Sequence, residues 1–418
     1  MGRLLGSRAR SSMRRAGTRA GVLTTAGVLV LGLIGAGAAS ASTAHGRSAP
    51  GRASAARAAA ASKSPLNVAL TTDLTGEDAP ARKPFNEGVV AYFKTHPDIA
   101  GRGVKVHIFD GQDNPAIAPA IFRQAVSSHP VAIIDFVVST SLQAAEPVLA
   151  SAGIPCMCEG GPDSWYGPKP YPWVFIANPT IGDQVRAYAA AMKKVLGGTL
   201  KGKRIAISGD NTALLALEAS EFKALVLREG ATVVNTQFGD TSETSWSGQA
   251  ADIAQSKPDA VFEDTIGSAE IVQLKALETA GLTKTPIVAF PGLQYTDITS
   301  LKLPNVFTVT SWPYGTPRSS GVYKAAKKLG YLADEVSYEF EFGWSQAAVL
   351  ARALSSCNGC SGTKLEAALE HIKNFKVPGG ASFGPISFSA TSHGVNLEEA
   401  LVAWSPKKNA LQTTPLTS

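Results

Sequence analysis

Cysteine is scarce here: four residues in 418, at Cys156, Cys158, Cys357 and Cys360. No second ligand pair stands at zinc spacing from Cys357-Asn-Gly-Cys360, and no thioredoxin-like pattern surrounds it. A local disulfide between Cys357 and Cys360, in a loop between two helical patterns, is therefore favoured over a zinc or redox site. The pairing of Cys156 and Cys158 stays open. Histidine is equally thin. None of His45, His96, His107, His129, His371 and His393 has a partner four residues away, which argues against a metal centre. The body contains neither H-E-x-x-H nor G-x-S-x-G. Gly197, Gly202 and Lys203 have P-loop spacing, but Arg204 stands where a hydroxyl should hold magnesium, and the segment precedes a strand instead of following one. No cofactor, metal or catalytic residue is expected. A basic excess is missing from the body as well. Residues 1–64 carry ten Lys/Arg and no acid, so the formal charge of +6 becomes about −4 beyond them, and nucleic acid is not an expected partner.

Only one long apolar run exists. GVLTTAGVLVLGLIGAGAA (21–39) follows a basic stretch and precedes Ala39-Ser40-Ala41, a small-x-small cleavage pattern. Residues 1–41 read as an export signal, with an uncleaved anchor as the rival. Residues 42–64 are Ala/Ser/Arg-rich and read as a disordered tether. The protein is expected outside the cytoplasm, extracellular or in the cell envelope.

From Pro65 the chain alternates short unbroken apolar runs with amphipathic stretches. LNVALTTD, VKVHIFD, VAIIDFVV and IPCMC read as parallel strands covered by helices on both faces. Near residue 176 the rhythm restarts, with KRIAIS, ATVVNTQF, DAVFED and TPIVAF as strands. Helical patterns follow at 318–329, 337–355 and 363–374. SFGPISFS (382–389) and EEALVAWS (398–405) read as two late strands. The fold class is α/β, with two doubly wound lobes.

Ligands of such sheets sit at the carboxyl ends of the strands. There Ser139-Thr140-Ser141 ends one strand and opens a helix, a place where backbone N–H groups and small hydroxyls bind anions and also where Ser and Thr cap helices. Gly160-Gly161, after the next strand, lets a ligand approach the backbone. Asp73, Glu77 and Asp78 cluster after the first strand and read as a helix cap or cleft border more readily than as an acid–base pair.

In these segments the chain resembles the type I substrate-binding proteins of ABC transporters, in particular the branched-chain amino acid group. The likeness runs over residues 65–405. It is carried by LNVALTTDLTGEDAPARKPFNEGVVAYF, by Ser139 to Ile154 with its G-I-P turn, by SETSWSGQAADIAQSKPDAVFED, and by AGLTKTPIVAF and GPISFS. The resemblance implies two lobes joined by three crossovers, with a cleft that closes on a ligand. It places 65–178 and 315–381 in the first lobe, and 179–314 and 382–412 in the second. It implies that the Ser139 hydroxyl and the Gly160-Gly161 backbone hold a ligand carboxylate.

This chain departs from the group at several positions. A second carboxylate-binding hydroxyl falls on Pro162. The acid that holds the ligand ammonium falls near Pro291, and pocket aromatics fall near Ala81 and Thr265. Asp163, Trp165 and Tyr166, then Asp264, Tyr295 and Trp312, are the substitutes offered by cleft-facing loops. Free leucine, isoleucine or valine is therefore not the expected ligand, unless Glu263 or Asp264 supplies the missing charge. The implied protein is a non-enzymatic, monomeric solute-binding protein that takes a small organic ligand, carboxylate-bearing or amino-acid-like, to an ABC permease. A sensor domain on the same fold and a hydrolase on an α/β scaffold are the alternatives.

Overall fold

The structure is a computed structural model. It describes residues 64–76, 79–137, 139–158, 160–167, 169–240, 243–291, 295–313, 319–331, 337–395 and 398–416. The export signal, nearly all of the tether, and Glu77 and Asp78 lie outside them.

The first apolar runs form β1 (Leu66–Thr72), β2 (Val104–Asp110), β3 (Ala132–Phe136), β4 (Cys156–Met157) and β5 (Val174–Phe175). They make one sheet in the order β2-β1-β3-β4-β5, parallel throughout. Parallel neighbours need a crossover back to the starting edge. Here α1 (Ala79–Thr95), α2 (Ala118–Ser127) and α3 (Ser139–Ala152) provide it.

The second half forms β6 (Arg204–Asp210), β7 (Thr232–Gly239), β8 (Ala260–Asp264), β9 (Ile287–Ala289), β10 (Val306–Thr310), β11 (Glu399–Ser405) and β12 (Ala410–Leu416). Their order is β12-β11-β10-β9-β8-β6-β7. Five are parallel, and β11 and β12 join antiparallel. Helices α4 (Ile181–Val195), α5 (Ala213–Arg228), α6 (Ser247–Gln255), α7 (Gly267–Thr279) and α8 (Tyr295–Leu301) accompany this sheet. The chain then returns to the first lobe as α9 (Gly321–Leu329), α10 (Tyr338–Ser356) and α11 (Thr363–Glu370).

The first lobe is closed by α1 against α10. Phe85, Gly88 and Tyr92 on α1 meet Phe340, Gly343 and Trp344 on α10. A Cβ on Gly88 would lie 2.1 Å from the Phe340 carbonyl oxygen, and one on Gly343 would lie 2.1 Å from that of Phe85. Only glycine lets the two backbones approach this closely.

Three crossovers join the lobes, and hydrogen bonds stitch them together. The Trp312 indole N–H donates to Asn178 Oδ1 at 3.3 Å. Phe383 N donates to the Ser311 carbonyl at 3.1 Å, and Ile176 N to that of His393 at 2.9 Å. The strand expected at 382–389 does not form. That segment makes only the isolated bridges Phe375↔Ile386 and Ser389↔Ser392. Its alternating apolar residues serve packing instead: Ile386 and Phe388 enter the core of the first lobe, as does Val395 beyond the segment, although residues from 382 onward read from the sequence as second-lobe. Strand β12 was not legible, since it is mostly exposed and Gln412, Thr413 and Thr414 interrupt its apolar residues. Cys357 and Cys360 are bridged, with their Cα atoms 5.5 Å apart. Cys156 and Cys158 are buried and form no disulfide.

Candidate functional site

The carboxyl ends of β1, β3 and β4 form the first-lobe wall. β1 ends in buried Thr72 and Asp73. Thr71 Oγ1 donates to Asp135 Oδ1 at 2.5 Å and locks β1 to β3. β3 ends in Phe136, whose ring stacks on Phe85 at 4.2 Å. The Arg82 guanidinium lies over the Phe136 ring, 4.2 Å from its centre. Arg82 and Asn86 are each 6% exposed and stand one helical turn apart on α1. Both polar atoms of the Asn86 amide lack a hydrogen-bond partner. A buried amide left so is costly unless something polar meets it.

Ser139 opens α3, but its side chain lies outside the described residues. Thr140 is exposed and Ser141 is buried. The Gln346 amide on α10 donates to the Cys158 carbonyl at 3.0 Å and so holds the end of β4 just before Gly160-Gly161. Gly161 is roofed by Trp165: a Cβ there would lie 2.4 Å from the indole. Trp165 also meets Tyr171 edge-on at 5.8 Å and packs on its own lobe. Asp163 sits in a single 3-10 turn (Asp163–Trp165), and its carboxylate accepts from Gly182 N at 3.0 Å. Tyr166 is buried in the first lobe. Trp312 is buried and stacks on Phe342 at 5.4 Å. Asp163, Tyr166 and Trp312 are thus each engaged in the protein's own packing and bonding.

The second-lobe wall is acidic. β8 ends in Glu263 and Asp264, followed by Thr265, and all three are fully buried. Thr265 Oγ1 donates to Gln273 Oε1 at 2.8 Å, and the Gln273 amide donates to Ser208 Oγ, so α7 is tied to β6 and β8. Glu270 stands in the first turn of α7, also fully buried. No carboxylate oxygen of Asp264 or Glu270 has a closed hydrogen bond, while Glu263 has the hydroxyl and backbone N–H of Thr265 beside it. Burial pushes all three carboxyls well above the usual range. Thr265 pulls Glu263 part of the way back, and neighbouring charge adds to the rise: Asp210 acts on Glu263, Glu218 and Glu263 act on Asp264, and Glu263 and Asp297 act on Glu270. Glu270 also feels Glu339 at the start of α10. Tyr295 opens α8, but its side chain lies outside the described residues. Pro291 directly follows β9 and Phe290, whose N–H donates to the Glu263 carbonyl at 2.9 Å. The position expected to lack an acid is therefore hydrogen-bonded, one residue away, to the strand end that carries two.

A family model described as "Periplasmic binding protein" matches residues 65–409. The chain belongs to the periplasmic binding protein family. No curated protein is significantly similar to it. Among solved structures, an amino acid ABC transporter substrate-binding protein from Pseudomonas fluorescens Pf-5 is similar with a TM-score of 0.73 at 13% identity. The match covers 85% of this chain and 96% of the other. A solute-binding protein of an R. palustris ABC transporter in complex with benzoate gives 0.71 at 20% identity, over 84% and 96%. One from Rhodopseudomonas palustris HaA2 in complex with p-hydroxybenzoic acid gives 0.72 at 18%, over 85% and 98%. At these identities the likeness is one of fold: two α/β lobes, three crossovers and a cleft between them.

Arg82, Asn86 and Glu270 escaped the sequence reading. Arg82 and Asn86 share a stripe with Val89 and Phe93 at helical spacing, a signal that was available. Glu270 looked like an ordinary acid in a first helical turn.

Proposed function

We propose that this periplasmic binding protein is an exported, monomeric carrier. In this reading it captures a small amino-acid-like solute between its lobes and hands it, unchanged, to an ABC permease. The observation that carries the ligand class is the second-lobe wall. Glu263, Asp264 and Glu270 are fully buried, and the carboxylate oxygens of Asp264 and Glu270 make no closed hydrogen bond. Buried acids in that state stay protonated or take a cationic partner. A ligand ammonium is that partner. The opposite wall suits a carboxylate, with Ser139 at the start of α3, the Gly160-Gly161 backbone and Arg82 over Phe136. Aromatic acids, the ligands named for two structures of the same fold, would fill only that half.

Calorimetry at neutral pH with L-leucine, L-phenylalanine, benzoate and 4-hydroxybenzoate tests this. An amino acid is expected to bind and the two acids are not. Binding should release protons, because carboxyls held protonated in the empty cleft ionise against the ammonium. Affinity should therefore weaken as pH falls. Tight binding of benzoate with no amino acid bound would overturn the ligand class. Recovery of a chemically altered solute would overturn the carrier role.

A further inference from the structure

The loop after β4 does more than border the cleft. Helix α4, the first helix of the second lobe, has N–H groups at its start that lack partners within the helix, as every helix does. Thr180 and Asp183 form a capping box, which satisfies Asp183 N. The two donors before it are met from the other lobe. Ile181 N donates to the Gly161 carbonyl at 3.4 Å, and Gly182 N donates to Asp163 Oδ1 at 3.0 Å. Gly182 is fitted to this contact: a Cβ there would lie 2.4 Å from Asp163 Oδ2. The donating helix and the accepting loop belong to different lobes, and the accepting loop contains Gly161 of the proposed ligand site.

The contact has neighbours: His393 N donates to the Tyr166 carbonyl at 2.6 Å, and Gly394 lies against both Tyr166 and Thr180. A groove of about 780 Å³ opens beside it, with Asp163 and Tyr166 on one wall and Asp183 and Arg186 on the other. Arg186 is paired to Asp183 on its own helix. Glu221 on α5 is held above its usual range by burial and then by Asp163, with Arg186 pulling it back. Space for α4 to move is thus present, and the bonds from Gly161 and Asp163 span it.

We propose that Asp163 is a positioning residue, a latch that ties the Gly160-Gly161 loop to the N-terminus of α4 and so couples the ligand loop to the angle between the lobes. The proposal takes from the functional reading only that a solute sits between the lobes. When the latch parts, two helix N–H groups lose their acceptors, so parting carries a free-energy cost. A solute that draws on Gly160 and Gly161 therefore acts on the lobe angle through two hydrogen bonds, without touching α4.

The test reads the lobe angle in the full-length chain with no solute present, so its result does not depend on which solute binds. Spin labels on Ile108→Cys and Leu217→Cys, both exposed and one on each lobe, report the separation by double electron–electron resonance. Melting temperature is read in parallel. Asp163→Ala should broaden the distance distribution with little loss of melting temperature. Asp163→Asn keeps an acceptor oxygen and should retain the parent distribution. Gly182→Ala should reproduce Asp163→Ala, because its methyl group takes the place of the carboxylate. An unchanged distribution in Asp163→Ala overturns the proposal. So does a fall in melting temperature with the distribution intact, which reduces Asp163 to a helix cap.

Discussion

Glu218 illustrates what one buried carboxyl does to the whole chain. It lies on α5 with 1% exposure. Its carboxyl is pushed up to about 8, chiefly by burial, with Tyr188 pulling it down and Glu221 pushing it further up. In the unfolded chain it titrates near 4.5. Between those values the folded protein keeps a proton that the unfolded chain has lost. Its contribution to stability is full below about 4.5 and is lost as pH rises toward about 8. Glu218→Gln should therefore flatten the dependence of melting temperature on pH and raise it at pH 8. An equally steep profile in the variant would assign the slope to other groups. Glu218 shares one buried face of α5 with Leu215, Ala219, Phe222 and Val226, but LLALEASEFKALV also carries Leu214, Leu217 and Leu225 off that face, so the sequence alone does not single the face out. Glu263 and Asp264 were legible as strand-end acids, but not the loneliness of Asp264, which depends on what fails to reach it.

At the scale of elements, the strands and most helices were legible because apolar runs of four to eight residues between turn signals suit parallel strands covered by helices. The start of α1 was not. Proline is favoured as a first helical residue, yet Pro84 lies inside α1, which begins at Ala79 and runs through it. That extra turn adds Arg82 to the buried stripe. The α1–α10 crossing makes a firm prediction. Gly88→Ala or Gly343→Ala would force a methyl group to within 2.1 Å of a backbone carbonyl, and a carbonyl inside a helix cannot move aside as a side chain can. Each should cost about 3 kcal/mol, the upper part of the usual overpacking range, measured by denaturant unfolding. A loss below about 1 kcal/mol would show that the helices slide apart cheaply.

For the whole molecule, the crossovers decide how the lobes hold together. Trp312 was read as a cleft aromatic because it follows a strand. It lies instead where two crossovers meet, bonded to Asn178 and stacked on Phe342. Trp312→Ala should cost about 3–5 kcal/mol, as large aromatic truncations in a core do, and should broaden the distance between the lobes as well. Loss of stability with the lobe distance unchanged would confine Trp312 to the core. The contrast with Asp163→Ala is informative, since the latch is expected to loosen the angle while leaving the core intact.

Sequence by itself determined the α/β class, the two-lobe rhythm and the family, because these rest on periodicity and on the order of short segments along the chain. It also located the carboxyl ends of the strands, where parallel topology places ligand sites. Tertiary structure alone decided which polar groups at those ends are already spent. Asp163 and Gly182 are 19 residues apart and Trp312 and Asn178 are 134 apart, and no local pattern encodes a bond across such distances. Whether a side chain faces a ligand or another part of the same chain depends on what packs against it, and packing exists only once the lobes are assembled.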